Sequence, residues 1–323
     1  MSILVVGSVG MDSIQTPFGR VEDVLGGSAT YFSTAASLYD QVNMVAVVGT
    51  DFPQEYMDFL RSRGVSLEGL QIEEGKTFRW AGRYGYDMNV AETLDTQLNV
   101  FATFNPKLPI SYRASEYVFL ANIDPVLQMN VLSQVDCPRL TVLDTMNYWI
   151  TYRKEELTKT ISKVDIVLMN EAEARQYANT FSLIRAARHI LSLGPRAVVV
   201  KKGEYGAVLF ANGEDPTASY FFAPAYPLEK IKDPTGAGDT FAGGFVGYLA
   251  KTGDLTLPSI KRAIIHGSVV ASFVVEGFSV ERLREVTWDD VMSRYSDFLN
   301  FTSFDVICPQ AKDCPRLRET TVK

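Results

Sequence analysis

The sequence predicts an α/β fold. A mainly parallel central sheet is covered by helices on both faces, three layers in all, with a smaller β-sheet set apart from it. Three observations carry this. Short apolar runs of strand length alternate with stretches of helical apolar spacing over most of the 323 residues. Such strand–helix repeats feed parallel strands through right-handed crossovers. One stretch, residues 70–105, breaks the rhythm: it alternates as half-wet antiparallel strands do and holds no helix pattern of useful length.

Taken in order, Ile3–Gly7 is a buried strand ended by Gly7 and Gly10, with Asp12 in the turn beyond. Gly26-Gly27 precedes a helix with Ala29, Phe32, Ala35, Ala36 and Tyr39 on its apolar face. Met44–Val48 is a second strand, and Pro53 suits the first turn of a helix running to Arg63. Thr77–Tyr86 and Thr96–Phe104 read as the antiparallel excursion. Apolar strands follow at Tyr117–Ala121, Leu140–Leu143, Asp165–Met169 and Ala197–Lys201, with helices starting near Pro125, Arg153, Asn170 and Phe181. Gly206–Ala211 and Ser219–Ala223 read as an edge hairpin. Asp239–Ala250, Pro258–Val275 and Trp288–Phe298 are the closing helices, and from Thr302 the periodicity is lost. Ligands of such sheets bind at the carboxyl ends of the strands.

Composition narrows the classes. A formal net charge of -7 and an acidic pI argue against a nucleic-acid binder. No window reads as a membrane span and no leader is evident, so the expected location is the cytoplasm. Three cysteines (Cys137, Cys308, Cys314) make no disulfide framework, and His189 and His266 are not spaced as metal ligands. Neither a Gly-x-x-x-x-Gly-Lys-Ser/Thr loop nor a Gly-x-Gly-x-x-Gly fingerprint is present.

The chemistry centres on Asp233-Pro-Thr-Gly-Ala-Gly-Asp-Thr240. Pro234, Gly236 and Gly238 deny this stretch regular structure. After it, Phe241, Phe245 and Leu249 recur at helical spacing beside Ala242 and Val246. A bare loop thus delivers a helix N-terminus, whose unpaired N–H groups suit an anion. Asp239 is then open to two readings. It is a first-turn helix acid, favourable with the dipole. Or the anion is a phosphoryl group in transit, and Asp239 takes the proton of the incoming nucleophile.

Asp233-Pro-Thr-Gly-Ala-Gly-Asp-Thr-Phe-Ala-Gly-Gly244 resembles the C-terminal signature of the ribokinase-like (phosphofructokinase-B type) carbohydrate kinases. Pro234 departs from it, since the family often has Thr there. The resemblance spans about residues 1–300, as one ribokinase-like kinase domain with a loose tail at 301–323. It implies that Asp239 is the catalytic base and that Gly236, Ala237 and Gly238 form the anion hole. It implies ATP and Mg²⁺, and, through Asp233 and Thr235, a monovalent-cation loop with K⁺ activation. It also implies that the small sheet is a lid over the acceptor, made mostly of residues 70–105 with a minor contribution from 13–25.

Other residues carry a plain reading and a functional one. Asp12 is a turn aspartate, or a carboxylate that accepts from two neighbouring hydroxyls of a sugar; the family places a sugar-binding Asp here. Gly26-Gly27-Ser28 is a turn with Ser28 as helix cap, or a bare backbone against a substrate hydroxyl. Tyr31 stands where the family often has Asn, and its flat face suits a ring or base. Asn170-Glu-Ala-Glu173 is a helix start, or by resemblance the family's Asn-x-x-Glu organiser of Mg²⁺, water and phosphate. In Lys201-Lys-Gly-Glu-Tyr-Gly206, the resemblance puts Gly203 and Gly206 beside the nucleotide, with Lys202 a phosphate neighbour or a solvated lysine; it puts His266 and Ser272 on the helix bordering adenine, where His266 meets adenine or simply packs.

The reading is an ATP-dependent kinase acting on a primary hydroxyl of a small sugar or related polyhydroxy compound, with a nucleoside kinase or a silent sensor as alternatives. In the lid, Phe78, Trp80, Tyr84 and Tyr86 share one strand parity, and Arg79 and Arg83 the other. The basic pair is a solvated face, or it recognises a charged or aromatic substrate. An inward aromatic face points to a nucleoside. An outward one needs covering, and because family members dimerise through this sheet, a homodimer through the lid is the favoured expectation.

Overall fold

Strand alternation sorts the layers. In β1 (Ser2–Val6), Ile3 and Val5 enter one apolar core and Leu4 and Val6 the other, all fully buried. The computed structural model describes residues 2–212 and 219–303. After β1 come β2 (Gly10–Thr16), β3 (Gly19–Gly26), α1 (Ser28–Ala36), β4 (Gln41–Gly49), α2 (Gln54–Ser62) and β5 (Val65–Glu73). Then follow β6 (Phe78–Tyr84), β7 (Ala91–Gln97), β8 (Tyr117–Leu120), α3 (Pro125–Leu132), β9 (Leu140–Leu143), α4 (Asn147–Tyr152) and α5 (Lys154–Ile161). The chain continues through β10 (Ile166–Asn170), α6 (Glu171–Tyr177), α7 (Leu183–Leu191), β11 (Ala197–Lys201), β12 (Ala207–Ala211) and β13 (Tyr220–Ala223). Three helices close it: α8 (Ala237–Thr252), α9 (Leu257–Val274) and α10 (Trp288–Thr302).

The large sheet has the order β13-β12-β11-β10-β9-β8-β1-β4-β5. From β11 to β5 in that order every pairing is parallel, and β12 and β13 complete one edge antiparallel. One core joins the sheet to α1, α8 and α9; the other joins it to α3, α5, α6 and α7. This is the three-layer α/β arrangement expected. Asp144, Asn170 and Lys201 lie at or just beyond strand carboxyl ends, so one edge of the sheet gathers the polar groups; Asp12, expected in a turn, stands instead inside β2 of the small sheet.

The helix α8 is buried on more than the expected stripe. Gly243, Gly244 and Gly247 are buried along with Phe241, Phe245 and Leu249. A Cβ on Gly243 would fall 2.5 Å from the Phe32 carbonyl of α1, and one on Gly244 would fall 2.9 Å from the His266 carbonyl of α9. Glycine lets two helices close on α8 at once, which fixes the direction in which its N-terminus points.

The small sheet has the order β3-β2-β6-β7, with β2 and β6 parallel and both hairpins antiparallel. Three expectations change here. The hairpin of residues 10–26 supplies as many strands as residues 78–97, so its share is not minor. Residues 65–73 do not begin an excursion; they form β5, paired with β4 at the edge of the large sheet. The strand expected at Thr96–Phe104 ends at Gln97 and gives way to a 3-10 turn over Asn99–Thr103. Asn99 takes a left-handed φ of 49° and its amide donates to the Thr77 carbonyl at 2.9 Å, a conformation Asn tolerates better than most residues. Ser28 does not cap α1 either: Gly27 is the cap, and the Ser28 hydroxyl lies 3.1 Å from that of Ser8. Cys308, Cys314 and nearly all of the expected tail lie outside the described residues.

Candidate active site

The loop before α8 is held from both ends. Asp233 is buried; its Oδ1 accepts the Thr235 N–H at 2.9 Å and its Oδ2 the Ser279 N–H at 3.4 Å. Pro234 fits because the chain turns there, with the Ala237 N–H donating to its carbonyl at 3.1 Å. Gly236 caps the helix at φ 74°. A Cβ on it would be strained by that φ and would meet the Tyr31 ring at 2.4 Å. The first-turn N–H groups of α8 therefore face the cleft over a bare backbone, with Asp239 third in the helix.

Asp12 comes to the same place from β2. A Cβ on Gly26 would sit 2.0 Å from its carboxylate, so that glycine makes room for it. Burial, and then the charge of Asp233, push Asp12 up to about 7, while the Gly27 N–H pulls the other way. Tyr31 is buried, and its hydroxyl has no hydrogen-bond partner among the described residues. Its titration is raised by burial first and then by Asp12, Asp233, Tyr84 and Asp239, so all four lie around it.

On the other side, Asn170 and Glu173 form a reciprocal capping box at the start of α6. Glu173 accepts from the Asn170 backbone N–H at 2.8 Å and from its side-chain amide at 2.7 Å. Burial, then Asp144, raise Glu173 to about 7. Burial, then Asp144, also raise Asp239 to about 7, while Lys201 and the backbone N–H of Asp239 itself pull the other way. Asp144 and Lys201 were not singled out from the sequence. Each stands at the end of a parallel strand, β9 or β11, which is the signal that marks them.

Other expectations sort as follows. Lys202 turns outward and pairs with Glu171 at 3.6 Å, so Lys201 and not Lys202 faces the cluster. Gly203 and Gly206 flank a 3-10 turn with φ of 57° and 88°. Asn89, beyond β6, lies against this turn: its Oδ1 accepts the Glu204 N–H at 3.2 Å and its amide donates to Glu204 at 3.1 Å. His266 does not border the cleft. It is stacked between Tyr248 and Tyr295 in the core, its Nδ1 3.1 Å from the Tyr39 hydroxyl, and burial drives it down to about 3. Ser272 accepts from Arg294 at 2.7 Å and serves to anchor that side chain.

The small sheet settles which way its faces look. Trp80 is the register partner of Asp12 in a parallel pair, so both project from the same face. Tyr84 shares that face, and its hydroxyl accepts from Thr235 Oγ1 at 3.3 Å. The aromatic face looks inward, contrary to the favoured expectation. Tyr86 lies past the end of β6 and is exposed. Arg79 pairs with Asp23 and Asp51, and Arg83 with Glu92, on the opposite face, so they do not meet a substrate beside Asp12. That charged face needs no second copy to cover it, which removes the reason given for a lid-to-lid dimer.

A parallel-sheet edge with a carboxylate at a bare helix N-terminus defines a phosphotransferase-type site. Residues 129–284 match the model of the pfkB family of carbohydrate kinases. The chain is 32% identical over 254 residues to a cytidine kinase of Thermococcus kodakarensis, covering 77% of this chain and 88% of that one. The nucleoside kinase structure of Methanocaldococcus jannaschii aligns with a TM-score of 0.72 at 22% identity, over 92% of this chain and 98% of that one. An aminoimidazole riboside kinase from Salmonella enterica, complexed with aminoimidazole riboside and an ATP analog, aligns with a TM-score of 0.71 at 16% identity, over 91% and 100%. The chain belongs to the pfkB family, with a ribokinase fold, and is a carbohydrate or nucleoside kinase. No helix among the described residues is long and apolar enough to cross a membrane.

Proposed function

We propose that the chain transfers the γ-phosphate of ATP to a primary hydroxyl of a nucleoside, with Asp239 as base. The observation that carries the choice of acceptor is the inward aromatic face. Trp80 is the register partner of Asp12, Tyr84 lies further along the same face, and Tyr31 lies beside Asp12. A nucleoside base offers these rings a flat π surface to stack on; a free sugar offers only the C–H face of its ring. The likeness to the cytidine kinase of Thermococcus kodakarensis supports the same reading.

In this mechanism Asp12 and the backbone at Gly26-Gly27 hold the ribose hydroxyls. Asp239 accepts the proton as the hydroxyl attacks, and the N–H groups at Gly236 and Gly238 face the growing negative charge, while the Ala237 N–H, expected to join them, is taken by the Pro234 carbonyl. Tyr84, bonded to Thr235, seals the small sheet over the loop and excludes water. The turn at Gly203 and Gly206 lines the nucleotide side. Asn170 and Glu173 supply oxygens that suit Mg²⁺; because both Glu173 oxygens already accept from Asn170, contact would run through water. The ion would supply charge neutralisation on the phosphates. The buried Asp233 carboxylate and Thr235 suit a monovalent cation such as K⁺.

The test is a panel of nucleosides, pentoses and polyols with ATP, scored by kcat/KM. Nucleosides lead the panel, and Trp80→Ala raises the KM of the best one by the loss of a stacking contact, about 1–3 kcal/mol. A free sugar outperforming every nucleoside, or an unaltered KM in the variant, would overturn the nucleoside reading.

A pH profile gives a second check. Asp239 works as a base only when ionised, and it titrates near 7. Activity should therefore rise with pH through about 7 and fall below it. The profile of kcat/KM reads the free enzyme, in which Asp12 and Glu173 also titrate near 7, so the acid limb belongs to the three carboxylates together. A profile flat between about pH 5.5 and 8.5 would exclude a titrating base there.

A further inference from the structure

Beside the α8 loop lies a buried ion pair to which the family resemblance assigned nothing. Lys201 ends β11, and its Nζ reaches Asp144 Oδ2, beyond β9, at 2.6 Å; the two side chains are 16% and 5% exposed. Asp144 is itself fixed, since its Oδ1 accepts the Thr145 N–H at 2.9 Å and its carbonyl accepts from the buried Gln128 amide at 3.0 Å. The ammonium points at the loop. A Cβ built on Gly238 would lie 3.0 Å from Nζ, and the three nearest atoms from beyond its own helix all belong to Lys201. Glu173 and Asp239 are the other charges that act on it. An ammonium has three protons to donate, and Asp144 takes one. A buried cation held rigidly beside the second residue of an anion-binding helix has the chemistry to meet a phosphoryl oxygen.

We propose that Lys201 is a catalytic residue whose ammonium contacts the transferred phosphoryl group beside Gly238, and that Asp144 is the positioning residue that aims it. This rests on the kinase reading of the α8 loop. In the step, the acceptor oxygen forms a bond to the γ-phosphorus while the bond from that phosphorus to the bridging oxygen breaks. ADP leaves with that electron pair, the hydroxyl proton goes to Asp239, and Lys201 keeps its protons throughout. Its role is to offset charge on the phosphoryl oxygens in transit, which neutral backbone N–H groups alone do less well.

Three variants test this: Lys201→Met, the double variant Asp144→Asn with Lys201→Met, and Asp239→Asn. The double variant removes both charges, so no buried carboxylate is left unpaired, and it stays folded where the single one fails to. Circular dichroism and Tm check that. The readouts are kcat, both KM values, and the affinity for ADP with Mg²⁺ measured with and without aluminium fluoride in the presence of the acceptor nucleoside. The folded Lys201 variant loses about 10²–10³ in kcat with the KM for ATP little altered. It also loses the gain in affinity that aluminium fluoride confers on ADP. Asp239→Asn keeps that gain while turning over slowly. A double variant with normal kcat, or one that loses ADP alone as badly as ADP with the mimic, would overturn the proposal and leave the pair a structural strut. Normal turnover in Asp239→Asn would instead strike at the base assignment and leave the Lys201 result to stand by itself.

Discussion

Asp239→Asn is expected to lower kcat by about 10²–10⁴, the range for a positioned acid–base group, with the Kd for ATP little altered. The substitution keeps size and shape and removes only the basic oxygen. Stability provides the control. If Asp239 were merely a first-turn helix acid, losing its charge would cost about 0.3–1 kcal/mol of favourable dipole interaction and leave turnover intact. The surroundings argue the other way. Burial and Asp144 both oppose its ionisation, so an uncharged amide should leave Tm unchanged or raise it. The expected signature is therefore slow turnover in a protein at least as stable as the parent. Fast turnover with a lowered Tm would return Asp239 to its role as a helix acid.

Asp12→Ala should damage the acceptor side and spare ATP. Two charge-assisted hydrogen bonds in a water-poor cleft contribute about 2–5 kcal/mol, tens-fold to a few thousand-fold in acceptor kcat/KM. Gly26 leaves the space that the carboxylate fills, so the variant also opens a small void where the ribose would rest. Removing a buried carboxylate beside Asp233 relieves repulsion, and the fold should tolerate it. An unchanged acceptor KM together with a weakened ATP KM would place Asp12 on the wrong substrate.

Much of this was legible in the chain because it follows from local rules. The parallel strands were visible as short apolar runs, and β11 was bounded to the residue. The capping box at Asn170 and Glu173 was visible as spacing. The Asp233–Asp239 stretch was readable because Pro and Gly in that order exclude regular structure. What was not legible depends on pairing between distant segments. β5 looked like the start of the excursion because Gly69 and its polar neighbours hide an edge strand. The stretch 13–25 looked too short for more than a minor share, yet β2 pairs on both sides. That His266 packs, and does not meet adenine, was not legible because its aromatic neighbours come from Tyr39 past α1, from α8 and from α10, which no sequence window brings together. Lys201 and Lys202 are adjacent and chemically alike; only strand direction decides which one enters the cluster.

The parallel pairing of β2 with β6 also has a consequence for assembly and loss of order. Gly10 meets Phe78 only after α1, β4, α2 and β5 have been laid down between them, so this contact closes a long loop and its entropy cost falls late. The large sheet can form without the small one, but the reverse is not true. β7, exposed along its whole length, is the weakest hold in that second sheet. On gentle heating the cover should therefore detach while the floor stays folded. Amides of β6 and β7 would exchange with solvent through a local opening well below the energy of global unfolding. Inactivation would then precede melting and would reverse on cooling.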